Sequence, residues 1–162
     1  MRVLWAPWRM AYVGGAAVAG CIFCSAAETT DPREALALAQ HPTIVMLNKF
    51  PYANGHLLVA PRRHAADFGA LPAQEFQVLM EVLQRSIALL SEAMRCDGMN
   101  VGMNLGAAAG AGVATHLHWH LVPRWKGDTN FMPLLADTRV MPEHLEALYD
   151  RLQPLFAPRT SS

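Results

Sequence analysis

Apolar and polar positions recur along this chain with two different periods. Residues 73–95 carry Phe76, Leu79, Met80, Leu83, Ile87, Leu90 and Met94 at three- and four-residue spacing, the single stripe of an amphipathic helix. Pro72 fits its start, and Gly98 lies just beyond its end. Residues 43–48 (TIVMLN) are apolar and partly β-branched, which predicts a buried strand, and residues 56–60 (HLLVA) read as the strand returning beside it. Between them, residues 49–55 supply Pro51, Asn54 and Gly55, so the pair forms a hairpin. Residues 99–105 (MNVGMNL) predict a further strand. Residues 115–122 (THLHWHLV) alternate strictly, which is strand period, and Pro123 should stop them. A short helix over residues 143–152 closes the pattern. Strands, a long helix, strands and a last helix predict an α+β fold with an antiparallel sheet.

No repeat or linker divides the 162 residues, so they are expected to form one domain, with residues 1–20 as an N-terminal arm and loop. Trp5, Trp8 and Tyr12 should pack that arm on the domain or on a partner subunit. With 52% hydrophobic and 16% charged residues, the chain can bury a core and has no disorder signature. A formal net charge of zero argues against nucleic acid or an anionic membrane as partner, because both need a clustered basic surface. No run approaches the roughly 20 apolar residues of a membrane span. Pro7 and Arg9 interrupt anything resembling a signal peptide. Three cysteines, two of them paired as Cys21-x-x-Cys24, suit a reducing cytoplasm and metal binding better than a disulfide framework. An anionic ligand would therefore need a local site.

His116, His118 and His120 offer one. On a strand, this spacing puts all three imidazoles on one face and Leu117, Trp119 and Leu121 on the other. Three readings follow: a half-buried strand whose polar face is histidine, a three-histidine zinc site, or a nucleophilic site in which one imidazole attacks and its neighbours bind charge. The loop at 106–112 (GAAAGAG) favours the last. Its small residues let backbone N–H groups come close to a phosphate. Asn104 stands at the strand end, where it could bond a ribose or a phosphate.

The segment His116-Leu-His118-Trp-His120-Leu-Val resembles the His-φ-His-φ-His-φ-φ signature of the histidine triad (HIT) family, where φ is apolar. The likeness extends over Leu4-Trp-Ala-Pro-Trp-Arg9, Cys21-Ile-Phe-Cys24, Asn48 to Pro61, Val122-Pro-Arg-Trp125 and Gly127-Asp-Thr-Asn-Phe-Met132. It runs to the bacterial branch associated with diadenosine tetraphosphate hydrolase or phosphorylase activity. The resemblance implies a HIT-like fold of about five antiparallel strands with one long helix and a short C-terminal helix. It also implies a homodimer that binds a nucleotide and cleaves at the α-phosphorus. His118 would be the nucleophile, His120 would contact the phosphate and help the leaving group, and His116 would complete the catalytic set. Nucleotide contacts would come from Asn48, His56, Asn104, Gly110, Gly112, Val113 and His120. Many family members carry Gln and Ser where this chain has Gly112 and Val113, so backbone contacts must do more here.

Cys21 and Cys24 have zinc-knuckle spacing and need two more ligands, for which His64 and His116 are candidates. Zinc-containing HIT proteins and their uridylyltransferase relatives resemble this pattern, which implies a closed structural zinc on Cys21, Cys24, His64 and His116. The alternative is a pair of buried, reduced thiols. Magnesium, if used, would arrive with the substrate. The chemistry is coherent on its own terms, since neutral imidazole, with an ordinary pKa near 6.5, is a good nucleophile at neutral pH. A nucleoside phosphoramidase and a nucleotide-binding regulatory module are the alternatives.

Overall fold

The computed structural model describes residues 20–128 and 143–157, so the arm and loop expected over residues 1–20 lie, up to residue 19, outside the described residues. Five strands form one antiparallel sheet: β1 (Ala37–Ala39), β2 (Ile44–Leu47), β3 (Leu57–Ala60), β4 (Gly98–Met103) and β5 (Trp119–Arg124), in the order β1-β2-β3-β5-β4. Three helices accompany them: α1 (Ile22–Glu28), α2 (Ala73–Met94) and α3 (Leu145–Phe156). None of the described helices is long and apolar enough to cross a membrane.

The central strands are buried on both sides, and their residues alternate between two cores. Val45, Leu47, Leu57 and Val59 face a larger cluster with Leu79, Leu83 and Leu90 of α2 and Leu148, Leu152 and Phe156 of α3. Ile44, Met46, Leu58 and Ala60 face a smaller cluster closed by Phe23, Ala26 and Ala27 of α1. All seven apolar residues read as the α2 stripe belong to the larger cluster. Arg95, in the left-handed conformation at φ 47°, ends the helix. Gly98, expected merely to follow the helix, instead opens β4.

The hairpin forms as expected, with Ile44 opposite Ala60 and Leu47 opposite Leu57. Gly55 is needed in its turn: φ is +79°, and an added Cβ would sit 3.0 Å from Met94 Cε and 3.2 Å from Pro123 Cγ.

Three expectations need correcting. The ladder of β5 begins at Trp119, not at Thr115, because Leu117 N–H donates to Ala65 O at 2.8 Å outside the sheet. Nor does Pro123 end the strand. Past Leu121, β5 pairs with β4 alone, so a residue without N–H is tolerated there and the pairing runs on to Arg124. The last helix runs over Leu145–Phe156 rather than 143–152, carried past Pro154 by buried Leu152 and Phe156.

Candidate active site

The three histidines share the sheet face on which α1 packs. Leu117, Trp119 and Leu121 go to the larger core on the opposite face, and His120 pairs across β3 with Leu58 of the smaller core. His116 and His118 lie just ahead of the ladder and are 1% and 5% exposed, while His120 is half-buried. The Phe23 ring lies 5.0 Å from the His116 ring and 4.9 Å from the His118 ring, between centroids. The rings of His118 and His120 are 5.0 Å apart, edge to face.

Hydrogen bonds to backbone fix the role of each ring nitrogen. His118 Nδ1 is 2.8 Å from the carbonyl of His116, so Nδ1 carries the proton and donates. The lone pair of His118 is thereby left on Nε2. In the same way His116 Nε2 donates to Pro61 O at 2.9 Å, which leaves its Nδ1 lone pair toward Cys21 Sγ at 3.2 Å and Cys24 Sγ at 3.7 Å.

His56 fixes His120. Its Nδ1 accepts Tyr52 N–H at 3.1 Å and lies 3.2 Å from Asn48 Nδ2, so the His56 proton is on Nε2. That Nε2–H donates to His120 Nδ1 at 2.9 Å, which puts the His120 proton on Nε2. His120 Nε2 is buried without a partner among the described residues, an N–H donor left over beside His118. His56 is fully buried, and Asn48 is 9% exposed, its Oδ1 accepting Phe50 N–H at 2.9 Å. Both therefore sit beneath the loop, behind the histidines.

Electrostatics keep these rings neutral. Burial lowers the pKa of His118, with partial compensation from its bond to the His116 carbonyl. Burial and neighbouring His118 together pull His120 down to about 4. Burial likewise lowers His116.

The loop before the triad is narrower as an anion cradle than its composition suggested. The N–H groups of Ala109, Gly110 and Ala111 donate to Gly106 and Ala107 carbonyls in a 3-10 turn over Ala107–Ala109, so Gly110 N–H is already used. Those of Gly112 and Val113 make no hydrogen bond among the described residues. Asn104 Nδ2 reaches Gly110 O at 3.4 Å and braces the loop, and Val113 packs on the smaller core. Arg124, at the end of β5, is in an ion pair with Asp128.

One ligand atom each from Cys21, Cys24, His64 and His116 falls within 4.8 Å of every other. Cys24 Sγ is 3.3 Å from His64 Nδ1. These separations fit a tetrahedral zinc, whose bonds of about 2.3 Å to sulfur and 2.0–2.1 Å to nitrogen put neighbouring ligand atoms roughly 3.5 Å apart. Without metal, burial and then neighbouring Cys21 push the Cys24 thiol upward. A bound dication would reverse that.

A family model described as the HIT domain matches residues 33–127. The chain belongs to the HIT family. An "AP-4-A phosphorylase" from Mycobacterium tuberculosis is 36% identical over 154 residues, covering 90% of this chain and 79% of that protein. An adenosine 5'-monophosphoramidase from Saccharomyces cerevisiae is 32% identical over 106 residues, 65% of this chain and 63% of its own. Among solved structures, a zinc-bound histidine triad family protein from Mycobacterium smegmatis is 26% identical with a TM-score of 0.66, covering 85% of this chain and 93% of its own. Sequence reasoning passed over the packing of Phe23 against the His116 and His118 rings, because α1 is too short to signal itself by periodicity.

Proposed function

We propose that this HIT protein cleaves dinucleoside polyphosphates at the α-phosphorus, with His118 Nε2 as nucleophile. The observation that carries the reading is the 2.8 Å bond from His118 Nδ1 to the His116 carbonyl, which leaves an unprotonated Nε2 at neutral pH. In the first step Nε2 forms a bond to the α-phosphorus while the bond to the bridging oxygen breaks. For diadenosine tetraphosphate the products are adenylyl-His118 and ATP, the latter helped away by the His120 Nε2–H donor. In the second step water or inorganic phosphate takes the adenylyl group, giving AMP or ADP and restoring His118. The N–H groups of Gly112 and Val113, with Asn104 bracing the loop, would hold the equatorial oxygens. Asn48 and His56 would act from behind, by holding His120.

Zinc on Cys21, Cys24, His64 and His116 is part of the proposal. A closed set of two thiolates and two imidazoles supplies structural cross-linking rather than Lewis acidity at phosphorus. It would tie α1 to the segment carrying His118, whose orienting carbonyl belongs to the ligand His116. Magnesium has no support in this donor set, which offers sulfur and nitrogen rather than an oxygen cage. The whole chain would be one domain and a cytoplasmic homodimer. β4 is an edge strand, and a second copy would pair along its outer backbone edge, leaving the face it shares with His120 open.

The relative named AP-4-A phosphorylase supports the substrate class. The yeast relative favours a second reading, a phosphoramidase with the same first step and an amine as leaving group. Incubation with diadenosine tetraphosphate, with and without phosphate, separates them. ADP plus ATP means phosphorolysis and AMP plus ATP means hydrolysis. Neither product, with turnover of adenosine 5'-phosphoramidate, would favour the second reading.

A further inference from the structure

Beside His120 lies a cleft of about 340 Å³ that the chemistry above leaves without an occupant. Tyr52, Asn100, Gly102, Asn104, His120 and Arg124 line it, and none of the described lining residues is acidic. Register explains its shape. Gly102 pairs with His120 and Asn100 with Val122, so these positions share one face of β4 and β5. Gly102 has no side chain, and an added Cβ would meet nothing within 4 Å, so the floor opposite His120 is open.

The two ends differ in chemistry. At one end is the His120 ring, with its unpartnered Nε2, 5.0 Å from the His118 ring. At the other is Arg124, four residues further along β5 and therefore about 13 Å away. Its guanidinium is braced: Nε and Nη2 donate to Asp128 at 2.6 Å and 2.7 Å, and Nη1 donates to Asn100 Oδ1 at 3.0 Å. A guanidinium has five N–H donors, so these three bonds leave two for a ligand.

We infer that this groove is the subsite for the polyphosphate tail of the leaving nucleotide, and that Arg124 sets a preference for longer phosphate chains. The inference rests on the proposed cleavage at His118. Attack at the α-phosphorus of a tetraphosphate expels a triphosphate, whose charge would travel away from His118 along a lining with no carboxylate before Arg124, where Asp128 is the guanidinium's own ion-pair partner. The groove starts beside the ring that would meet the leaving oxygen and ends at a cation of fixed orientation. Asp128 and Asn100 hold that cation in place, so less rotamer freedom is lost when phosphate binds.

The test compares kcat/KM of the wild type, Arg124→Ala and Gly102→Asp. Substrates are diadenosine tri-, tetra- and pentaphosphate and adenosine 5'-phosphoramidate, whose leaving group carries no phosphate. For Arg124→Ala the expected loss on the tetraphosphate exceeds that on the phosphoramidate by about tenfold, the scale of one charge-assisted hydrogen bond near solvent. Gly102→Asp, whose added Cβ meets nothing within 4 Å, should lose more with each added phosphate. It decides the matter if Arg124→Ala does not fold. Equal losses on all four substrates, or none, overturn the groove assignment. A wild-type enzyme that labels His118 while its variants show parallel profiles removes the groove alone. A wild type that labels no histidine with any substrate removes the cleavage reading beneath it.

Discussion

Replacing His56 with leucine probes how the site is wired, because His56 touches no substrate in this account yet sets the proton on His120. The substitution is close in size and leaves three polar groups without their partner. These are Tyr52 N–H at 3.1 Å, Asn48 Nδ2 at 3.2 Å and His120 Nδ1 at 2.9 Å. His56 is fully buried, so water does not replace it cheaply. Each orphaned buried group costs about 1–3 kcal/mol, and the three are not additive. Relaxation of the loop and the apolar contacts of leucine recover part, leaving a net loss of about 2–4 kcal/mol. At about 2–4 °C per kcal/mol for a chain of this size, Tm should fall by roughly 10 °C. In the folded variant His120 no longer has a donor holding its proton on Nε2. Turnover should then drop about 10- to 100-fold, near the lower end of what losing one positioned hydrogen-bond donor to developing charge costs. The assay is a thermal melt with steady-state kinetics below the transition, together with nitrogen-15 imidazole shifts. A variant within 2 °C and twofold of wild type would refute the reasoning. So would a wild-type His120 protonated on Nδ1.

Metal analysis of protein purified without chelator should find about one zinc per chain. Cys24→Ser or prolonged chelation should lower both metal content and Tm; substoichiometric metal in fully active protein would contradict this. The acid limb of kcat/KM should lie below 6.5, because burial depresses His118 and pulls His120 to about 4, so the neutral forms persist as pH falls. Stability follows the same sign: unfolded histidine takes a proton near 6.5 while native His120 does not until about 4, so the melt should weaken between those pH values. Gly55→Ala should cost about 1–2 kcal/mol from its left-handed backbone, and Gly102→Ala almost nothing, as paired melts would measure.

Much of this fold was legible in the pattern of the chain, and the exceptions have physical causes. The α2 stripe announced itself because 22 residues give several helical turns. The hairpin did so because Pro51 and Gly55 punctuate two apolar runs. α1 and β1 did not, with seven and three residues that are rich in alanine, so propensity points nowhere and tertiary packing decides. Strict alternation at residues 115–122 gave the shared face of the histidines correctly but not the start of the ladder, because Leu117 bonds to Ala65 instead. Within the site, the triad and the four sulfur and imidazole ligand candidates could be picked out by spacing and by resemblance. Which nitrogen of each ring carries a proton could not. That depends on the carbonyls of Pro61 and His116 and on the N–H of Tyr52, and no side-chain pattern encodes where those fall.

The central claim is a covalent bond between His118 and the nucleotide. Rapid quench of the enzyme with diadenosine tetraphosphate carrying labelled α-phosphorus, followed by peptide mapping, tests it directly. The account predicts an acid-labile adenylyl group on His118, formed and consumed at rates compatible with turnover and missing from His118→Ala. Label on another residue, or His118→Ala turning over at the wild-type rate, would contradict it.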